Sequence, residues 1–205
     1  PEARALPILF DEARLAERGS PPAGDGPLVL VVSRLAPNKR HDLAIGAFAA
    51  WQREHAPGAR LLCVGESLSP GFRQLIDGIA ERSGAANMTI AGGLSQAELN
   101  SAYAAAHVLL SMSEHEGFSV PLLEAFHFGV PVVARPAGAM PEVGGDAVLW
   151  DADDDLAVTA ELIELAVRDQ ELREELVARG RAQLGRFSPQ RTAAAILEAV
   201  EEALR

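Results

Sequence analysis

Hydrophobic residues along the chain alternate between short continuous runs and longer stretches with helical spacing. The runs predict buried strands, and the stretches, in which apolar positions recur every three or four residues, predict amphipathic helices. The predicted strands are residues 28–32, 60–64, 88–91, 107–112, 130–134 and 147–150. The predicted helices between them are residues 41–51, 71–82, 96–106 and 120–128. Beyond residue 155 the pattern predicts helices alone, at 156–168, 170–184 and 189–204.

Short continuous strands between amphipathic helices indicate a parallel sheet that is covered on both faces. Because crossover connections are right-handed, the expected α/β fold is a Rossmann-like doubly wound sheet of about six strands with extra C-terminal helices. Residues 1–27 contain a run rich in glycine and proline and predict a linker or lead segment. Residues 28–205 are the predicted domain.

Charge and composition narrow the classes of partner. The chain has 205 residues, is 48% hydrophobic and carries a net charge of −11, which argues against nucleic acid or an anionic membrane as a partner. No apolar run approaches the ~20 residues of a membrane span, so no integral membrane segment is expected. The single cysteine, Cys63, lies in an apolar run, which favours a core position and a reducing compartment.

A pair of carboxylates follows the predicted strand 107–112. Glu116 lies in a glycine-containing turn, Ser119 is the predicted cap of the next helix, and Glu124 lies one helical turn into it. In open α/β sheets ligands bind at the carboxyl ends of strands, where a helix amino terminus also attracts anions. The segment therefore predicts a site for a phosphate-bearing ligand.

Two cations follow the first strand. Lys39 is the only lysine among 18 basic residues, and it comes five positions after Arg34. Both side chains can fold back over the same sheet edge toward Glu116. The chain has no GxGxxG sequence and no Walker sequence, which weakens the case for a nicotinamide dehydrogenase or a P-loop nucleotidase. The remaining interpretation is a diphosphate site, formed by Arg34, Lys39 and a helix amino terminus.

The two acids have other interpretations. Glu116 and Glu124 could be a surface acid and a helix-capping acid that bind no ligand. A retaining glycosidase also uses paired carboxylates, but its two acids face each other across the scissile bond. Acids within one loop and helix turn of a parallel sheet do not fit that arrangement.

These motifs, taken together and in order, resemble a known family. R-x4-K at 34–39, E-x7-E at 116–124, and the segments 129–134 and 141–144 are similar to the retaining GT-B glycosyltransferases of group 1, or family 4. The resemblance spans residues 28–205 and covers the carboxy-terminal donor-binding half of that fold. It implies a chain that needs an N-terminal acceptor domain for activity.

The resemblance also implies roles for individual residues. Arg34 and Lys39 would hold the diphosphate of a nucleoside-diphosphate sugar, Glu116 would meet the sugar hydroxyls, and Glu124 would bind the ribose. No metal or other cofactor is then required. The full set of candidate donor-binding residues, besides the catalytic candidates Arg34, Lys39 and Glu116, is Gly65, Gly93, Leu94, His115, Gly117, Phe118, Ser119 and Glu124.

Two positions depart from the family pattern. His115 stands where the family commonly has an aromatic residue, and Ser119 where it commonly has glycine. The sequence around His115 looks most like mannosyltransferases that use GDP-mannose. The expected function is retaining, metal-independent transfer of a hexose to an unknown acceptor, and the alternative is a non-catalytic sugar-nucleotide-binding module or subunit. The expected location is cytoplasmic, with any membrane contact made peripherally through the absent half.

Overall fold

The computed structural model describes residues 9–203. The first eight residues of the predicted lead segment, and residue 204 of the last predicted helix, lie outside this range. None of the helices within it combines the length and the apolar character that a bilayer crossing requires.

A six-stranded parallel sheet forms the centre of the fold, with the strand order β3-β2-β1-β4-β5-β6. This confirms the predicted Rossmann-like doubly wound architecture. The strands are β1 (Leu28–Val32), β2 (Arg60–Val64), β3 (Met88–Ala91), β4 (Val108–Ser111), β5 (Val132–Ala134) and β6 (Val148–Trp150). The last three are one to two residues shorter than the hydrophobic runs that predicted them.

Eight α-helices accompany the strands within residues 9–203. They are α1 (His41–Glu54), α2 (Pro70–Ser83), α3 (Gln96–Ala105), α4 (Val120–Phe128), α5 (Met140–Gly144), α6 (Leu156–Arg168), α7 (Gln170–Leu184) and α8 (Pro189–Ala203). The five-residue α5 was not predicted, because its length is too short for a helical hydrophobic period to show.

The two faces of the sheet bury separate hydrophobic clusters. Successive side chains of a strand point to opposite faces, so Leu28 and Leu30 of β1 join one cluster, and Val29 and Val31 join the other. The first cluster is completed by α3, α4 and α5, and the second by α1, α2 and α6. Cys63 is fully buried in the second cluster, as predicted.

The segment before β1 packs onto the first of these clusters. Phe10 and Leu15 are 2% and 1% exposed and belong to the core beside α3. Further along, the backbone N–H of Gly19 donates to the carbonyl of Ala97 over 2.8 Å. The segment 9–27 is therefore in contact with the same helices that flank the carboxyl edge of the sheet.

Candidate functional site

Loops that carry predicted site residues meet where the strand order reverses. β1 lies between β2 and β4, so the chain leaves β1 toward one side of the sheet and leaves β4 toward the other. This divergence opens a crevice at the carboxyl ends of the two strands, the usual ligand position in such sheets. Lys39 enters the crevice from the loop after β1, and Glu116 from the loop after β4.

Lys39 and Glu116 form an ion pair across this crevice. Nζ of Lys39 lies 2.7 Å from Oε1 of Glu116, and the two side chains are only 17% and 15% exposed. Nζ also lies 3.4 Å from the backbone carbonyl of His115. A sugar nucleotide joins its sugar directly to a phosphate, so a cation for the phosphate and an acceptor for the sugar hydroxyls need to be neighbours. These two side chains have that proximity.

Arg34 supplies a second positive charge at the same edge. Its side chain is exposed, and its guanidinium has no ion-pair or hydrogen-bond partner among residues 9–203. The backbone beside it is fixed, because Leu35 donates to the carbonyl of Glu66 over 2.9 Å and accepts from the N–H of Leu68 at 2.9 Å. Within residues 9–203 no acidic side chain neutralises Arg34, and the backbone next to it is held by hydrogen bonds. Its guanidinium is therefore available to an anion at this edge.

The loop that carries Glu116 is held from two sides. The N–H of Glu114 donates to the carbonyl of Asn38 over 2.8 Å, which joins this loop to the loop of Lys39. On the other side the N–H of Ala139 donates to the carbonyl of Glu116 over 3.2 Å. Gly138 makes this approach possible, since a Cβ there would lie 2.2 Å from that same carbonyl oxygen. Neither Glu114 nor Gly138 is among the site residues predicted from the sequence.

Arg40 reinforces the junction of these two loops. It has φ 48°, a left-handed backbone that a non-glycine residue adopts at a cost. Its guanidinium binds Asp42 over 2.9 Å and Glu114 over 2.6 Å. The pKa of Arg40 is raised, mainly by the hydrogen bond to Asp42 and next by the hydrogen bond to Glu114. Arg40 is not among the residues predicted from the sequence, because no local pattern indicates that its partner Glu114 lies 74 residues further along the chain.

Ser119 precedes α4, as predicted, but its side chain does not cap the helix. Its backbone is left-handed, with φ 70° and ψ 67°, and within residues 9–203 no hydrogen bond joins its hydroxyl to the first turn. In a normal N-cap the backbone is extended, which is what aims the hydroxyl at the first-turn N–H groups. Glycine, which has no Cβ, adopts this left-handed conformation without the cost that serine bears.

The other predicted residues of this loop differ in exposure. His115 and Gly117 are exposed at the crevice. Phe118 is half-buried, and its ring packs edge-on against Phe187 at a centroid distance of 5.3 Å. Phe187 lies between α7 and α8. Phe118 therefore packs the loop that carries Glu116 against the C-terminal helices.

Gly65 and Gly93, from the ends of β2 and β3, are brought together by Glu66. Oε1 of Glu66 accepts the backbone N–H of Gly93 over 2.8 Å. Gly65 has φ 152°, and a Cβ there would lie 2.1 Å from the carbonyl oxygen of Ser33. Leu94 follows, half-buried, at the start of the loop into α3. These residues occupy the same edge of the sheet as Lys39 but on the β2–β3 side of it.

Glu124, in the second turn of α4, is almost completely buried. The residue is 3% exposed. Nη2 of Arg14 lies 2.6 Å from its Oε1, and the hydroxyl of Tyr103 donates to its Oε2 over 2.8 Å. Burial, and then the charge of Glu124, raise the pKa of Tyr103 well above its ordinary value. Arg14 belongs to the segment predicted as a linker, and nothing in the local sequence indicated this contact.

His41 begins α1 directly beneath the loop of Lys39. It is 1% exposed, and its Nε2 lies 3.3 Å from the hydroxyl oxygen of Ser33. Burial lowers the pKa of His41 to about 4, partly opposed by the charge of Asp42 and aided by that of Lys39. The imidazole is therefore neutral near pH 7 and adds no positive charge to the site.

A cluster of three residues whose side chains could bind a metal ion lies away from the crevice. Within residues 9–203, Glu54, His55 and Glu161 have ligand atoms within 4.8 Å of one another. Glu54 ends α1, the helix that His41 begins at the crevice. Since a 14-residue helix is about 20 Å long, this group lies well away from Lys39 and Glu116.

Comparison with known proteins identifies the family. The profile of the family described as "Glycosyl transferases group 1" matches residues 14–183. A relative from Segniliparus rotundus, described as a D-inositol 3-phosphate glycosyltransferase, is 35% identical over 198 residues, covering 94% of this chain and 43% of the relative. A relative from Escherichia coli, described as O-antigen chain mannosyltransferase B, is 42% identical over 87 residues, covering 42% of this chain and 23% of the relative.

Solved structures agree on the fold. A glycosyltransferase from Rickettsia africae has a TM-score of 0.79 at 19% identity, covering 89% of this chain and 49% of that one. The Anabaena protein HepE, solved with UDP and glucose, has a TM-score of 0.76 at 22% identity, covering 85% of this chain and 48% of that one.

The chain thus belongs to the glycosyl transferases group 1 family, and its fold is the carboxy-terminal half of the GT-B fold. This confirms the resemblance seen in the sequence. The chain spans about half the length of both the S. rotundus relative and the R. africae structure.

Proposed function

We propose that this chain is the donor-binding half of a retaining, metal-independent glycosyltransferase, which moves a hexose from a nucleoside diphosphate to an acceptor held by an N-terminal half. The observation that carries the proposal is the 2.7 Å Lys39–Glu116 pair at the point where the strand order reverses. Arg34, which has no side-chain partner among residues 9–203, and the amino terminus of α4 lie at the same edge of the sheet.

The chemistry of transfer follows from this arrangement. Breaking the bond between the sugar and the diphosphate leaves negative charge on the nucleotide, and Lys39 and Arg34 stabilise that charge by charge-assisted hydrogen bonds. When phosphate oxygens bind Lys39, the carboxylate of Glu116 is free to accept hydrogen bonds from sugar hydroxyls. The backbone N–H groups of Gly117, Phe118 and Ser119 add donors for the diphosphate at the start of α4.

The remaining candidates are proposed to hold the nucleoside. Glu124 binds the ribose hydroxyls, and the backbone around Gly65, Gly93 and Leu94 contacts the base. GDP-mannose is the donor that we favour, supported by the sequence around His115 and by the E. coli relative described as a mannosyltransferase. Because these 205 residues span about half the length of the relatives that they match, we expect them by themselves to bind the donor without turnover.

Calorimetric titration with UDP, GDP, ADP and their sugar conjugates tests the proposal. Lys39→Ala removes one charge-assisted contact and is expected to weaken nucleotide binding by about tenfold to 150-fold. Arg53→Ala is the matched control, because Arg53 is an exposed cation whose partner is Glu54, at the far end of α1. Equal loss in both variants would mean that the effect is general electrostatics, and no loss in Lys39→Ala would refute the diphosphate assignment.

The two acids can be separated in the same assay. Glu116→Gln should weaken binding of sugar conjugates more than binding of the free nucleoside diphosphate, because only the conjugates carry the hydroxyls that it accepts from. Glu124→Gln should weaken both series equally. If both variants weakened both series alike, the separate roles would be wrong.

A further inference from the structure

Glu124 receives a hydrogen bond at each carboxylate oxygen from a different part of the chain. Arg14, in the segment before β1, binds Oε1 at 2.6 Å, and Tyr103, from α3, binds Oε2 at 2.8 Å. The Glu124 side chain is 5% exposed, whereas that of Arg14 is 38% exposed. Arg14 therefore contacts the carboxylate from the more exposed side, and Tyr103, which is fully buried, contacts it from the core.

The backbone of Arg14 is fixed in place by a buried amide. Nδ2 of Asn100, a residue with no exposed surface, donates to the carbonyls of Arg14 at 2.9 Å and Glu17 at 2.8 Å. The guanidinium of Arg18 donates to the backbone carbonyl of Asn100 over 2.7 Å. Leu15, the residue after Arg14, is buried in the core. A guanidinium on so anchored a backbone meets Glu124 in a defined geometry.

Burial of a carboxylate is costly unless a cation or hydrogen-bond donors compensate its charge. Arg14 and Tyr103 provide that compensation and fix the rotation of the carboxylate. An ionised carboxylate has about four lone-pair sites, so two of them remain for a ligand after both contacts are made. These are the conditions for a rigid acceptor that recognises neighbouring hydroxyl groups.

We propose that Arg14 and Tyr103 are positioning residues, which hold Glu124 ready to accept hydrogen bonds from the nucleotide ribose and thereby make this half selective for ribonucleotides over 2′-deoxyribonucleotides. The inference rests on the proposed donor-binding function and adds to it the role of a segment outside the sheet. Both residues would act through Glu124, which they contact directly.

The test compares each ribonucleoside diphosphate with its 2′-deoxy counterpart, GDP with dGDP and UDP with dUDP, by calorimetric titration of the full chain. Arg14→Met removes the charge with little loss of volume, and Tyr103→Phe removes only the hydroxyl. We expect the parent to favour the ribonucleotide by on the order of tenfold, and both variants to lose most of that ratio while binding of the deoxynucleotide changes little.

Arg18→Met is the matched control. Arg18 lies in the same segment, donates to Asn100 and stacks on the ring of Phe128 at 4.3 Å, but has no contact with Glu124. Its loss should loosen the segment and leave the ribose ratio intact. Arg14→Lys should restore part of the ratio, and Arg14→Met should add no further loss in a Glu124→Gln background.

The outcomes separate the two proposals. If the parent binds no nucleoside diphosphate, the donor-binding function fails and this inference fails with it. If the parent binds but does not distinguish the two sugars, the diphosphate site stands and the role of Glu124 and its partners is refuted. If Arg14→Met lowers the affinity for both sugars equally, or if Arg18→Met changes the ratio as much, Arg14 is a structural residue and the inference is wrong.

Discussion

Replacing Ser119 with glycine is expected to stabilise the protein, although it removes side-chain atoms from a residue that is only 6% exposed. Ser119 holds φ 70° and ψ 67°, and its hydroxyl makes no capping bond to α4 within the described residues. A left-handed backbone costs a non-glycine residue about 1–2 kcal/mol. Glycine removes that cost but adds about 0.4–1 kcal/mol of unfolded-state entropy.

The expected net gain is about 0.5–1 kcal/mol, which corresponds to a rise in Tm of about 1–4 °C for a domain of this size. Differential scanning calorimetry at pH 7 without ligand measures it. The reverse change offers an internal check at Gly129, the residue after α4, which has φ 67°. A Cβ there would make an ordinary 3.5 Å contact with Val177, so Gly129→Ser should cost about what Ser119→Gly gains.

Ser95→Gly serves as the control for removing a serine in front of a helix. Ser95 has φ −61°, and its hydroxyl accepts the N–H of Glu98 over 3.3 Å in a capping box. Its loss should lower Tm, since a true N-cap is removed. If Ser119→Gly lowered Tm together with Ser95→Gly, the reasoning from backbone strain would be refuted.

Two further predictions concern pH and backbone packing. Because the pKa of His41 is about 4 in the folded protein against 6.5 for the free side chain, its contribution to stability is complete above pH 6.5 and is lost as pH falls toward 4. The loss amounts to about 3 kcal/mol at most. Between pH 7 and pH 4.5, urea unfolding should show that His41→Gln loses less free energy of unfolding than the parent. Equal losses in the two proteins would contradict the lowered pKa of His41. Gly65→Ala should destabilise by more than about 2 kcal/mol, since its Cβ would lie 2.1 Å from the carbonyl oxygen of Ser33 at φ 152°. Gly71→Ala, in open space on α2, is the control and should leave Tm unchanged or slightly higher, so equal losses in the two would refute the packing argument.

The sequence by itself determined most of the strands and helices and predicted where the candidate site residues lie along the chain. Strand and helix positions follow from hydrophobic periodicity, which is a local property, and residues 34–39 and 116–124 carry their chemistry in short motifs. Placing both at the carboxyl ends of strands needed only the alternation of strands and helices. The family resemblance required the same local information, since its motifs lie within single loops and their order along the chain.

Only the tertiary structure decided which side chains meet. For Lys39 and Glu116, 77 residues apart, the sequence predicted a common sheet edge but not the direct ion pair. For Arg14 and Glu124, 110 residues apart, no period or motif predicted that they meet. The left-handed backbone of Ser119 and Arg40 was likewise invisible, because both residue types normally occupy other regions and are held here by packing and by ion pairs. The physical reason is that propensity acts over a few neighbouring residues, whereas contacts between loops depend on strand order and register, which the whole core settles at once.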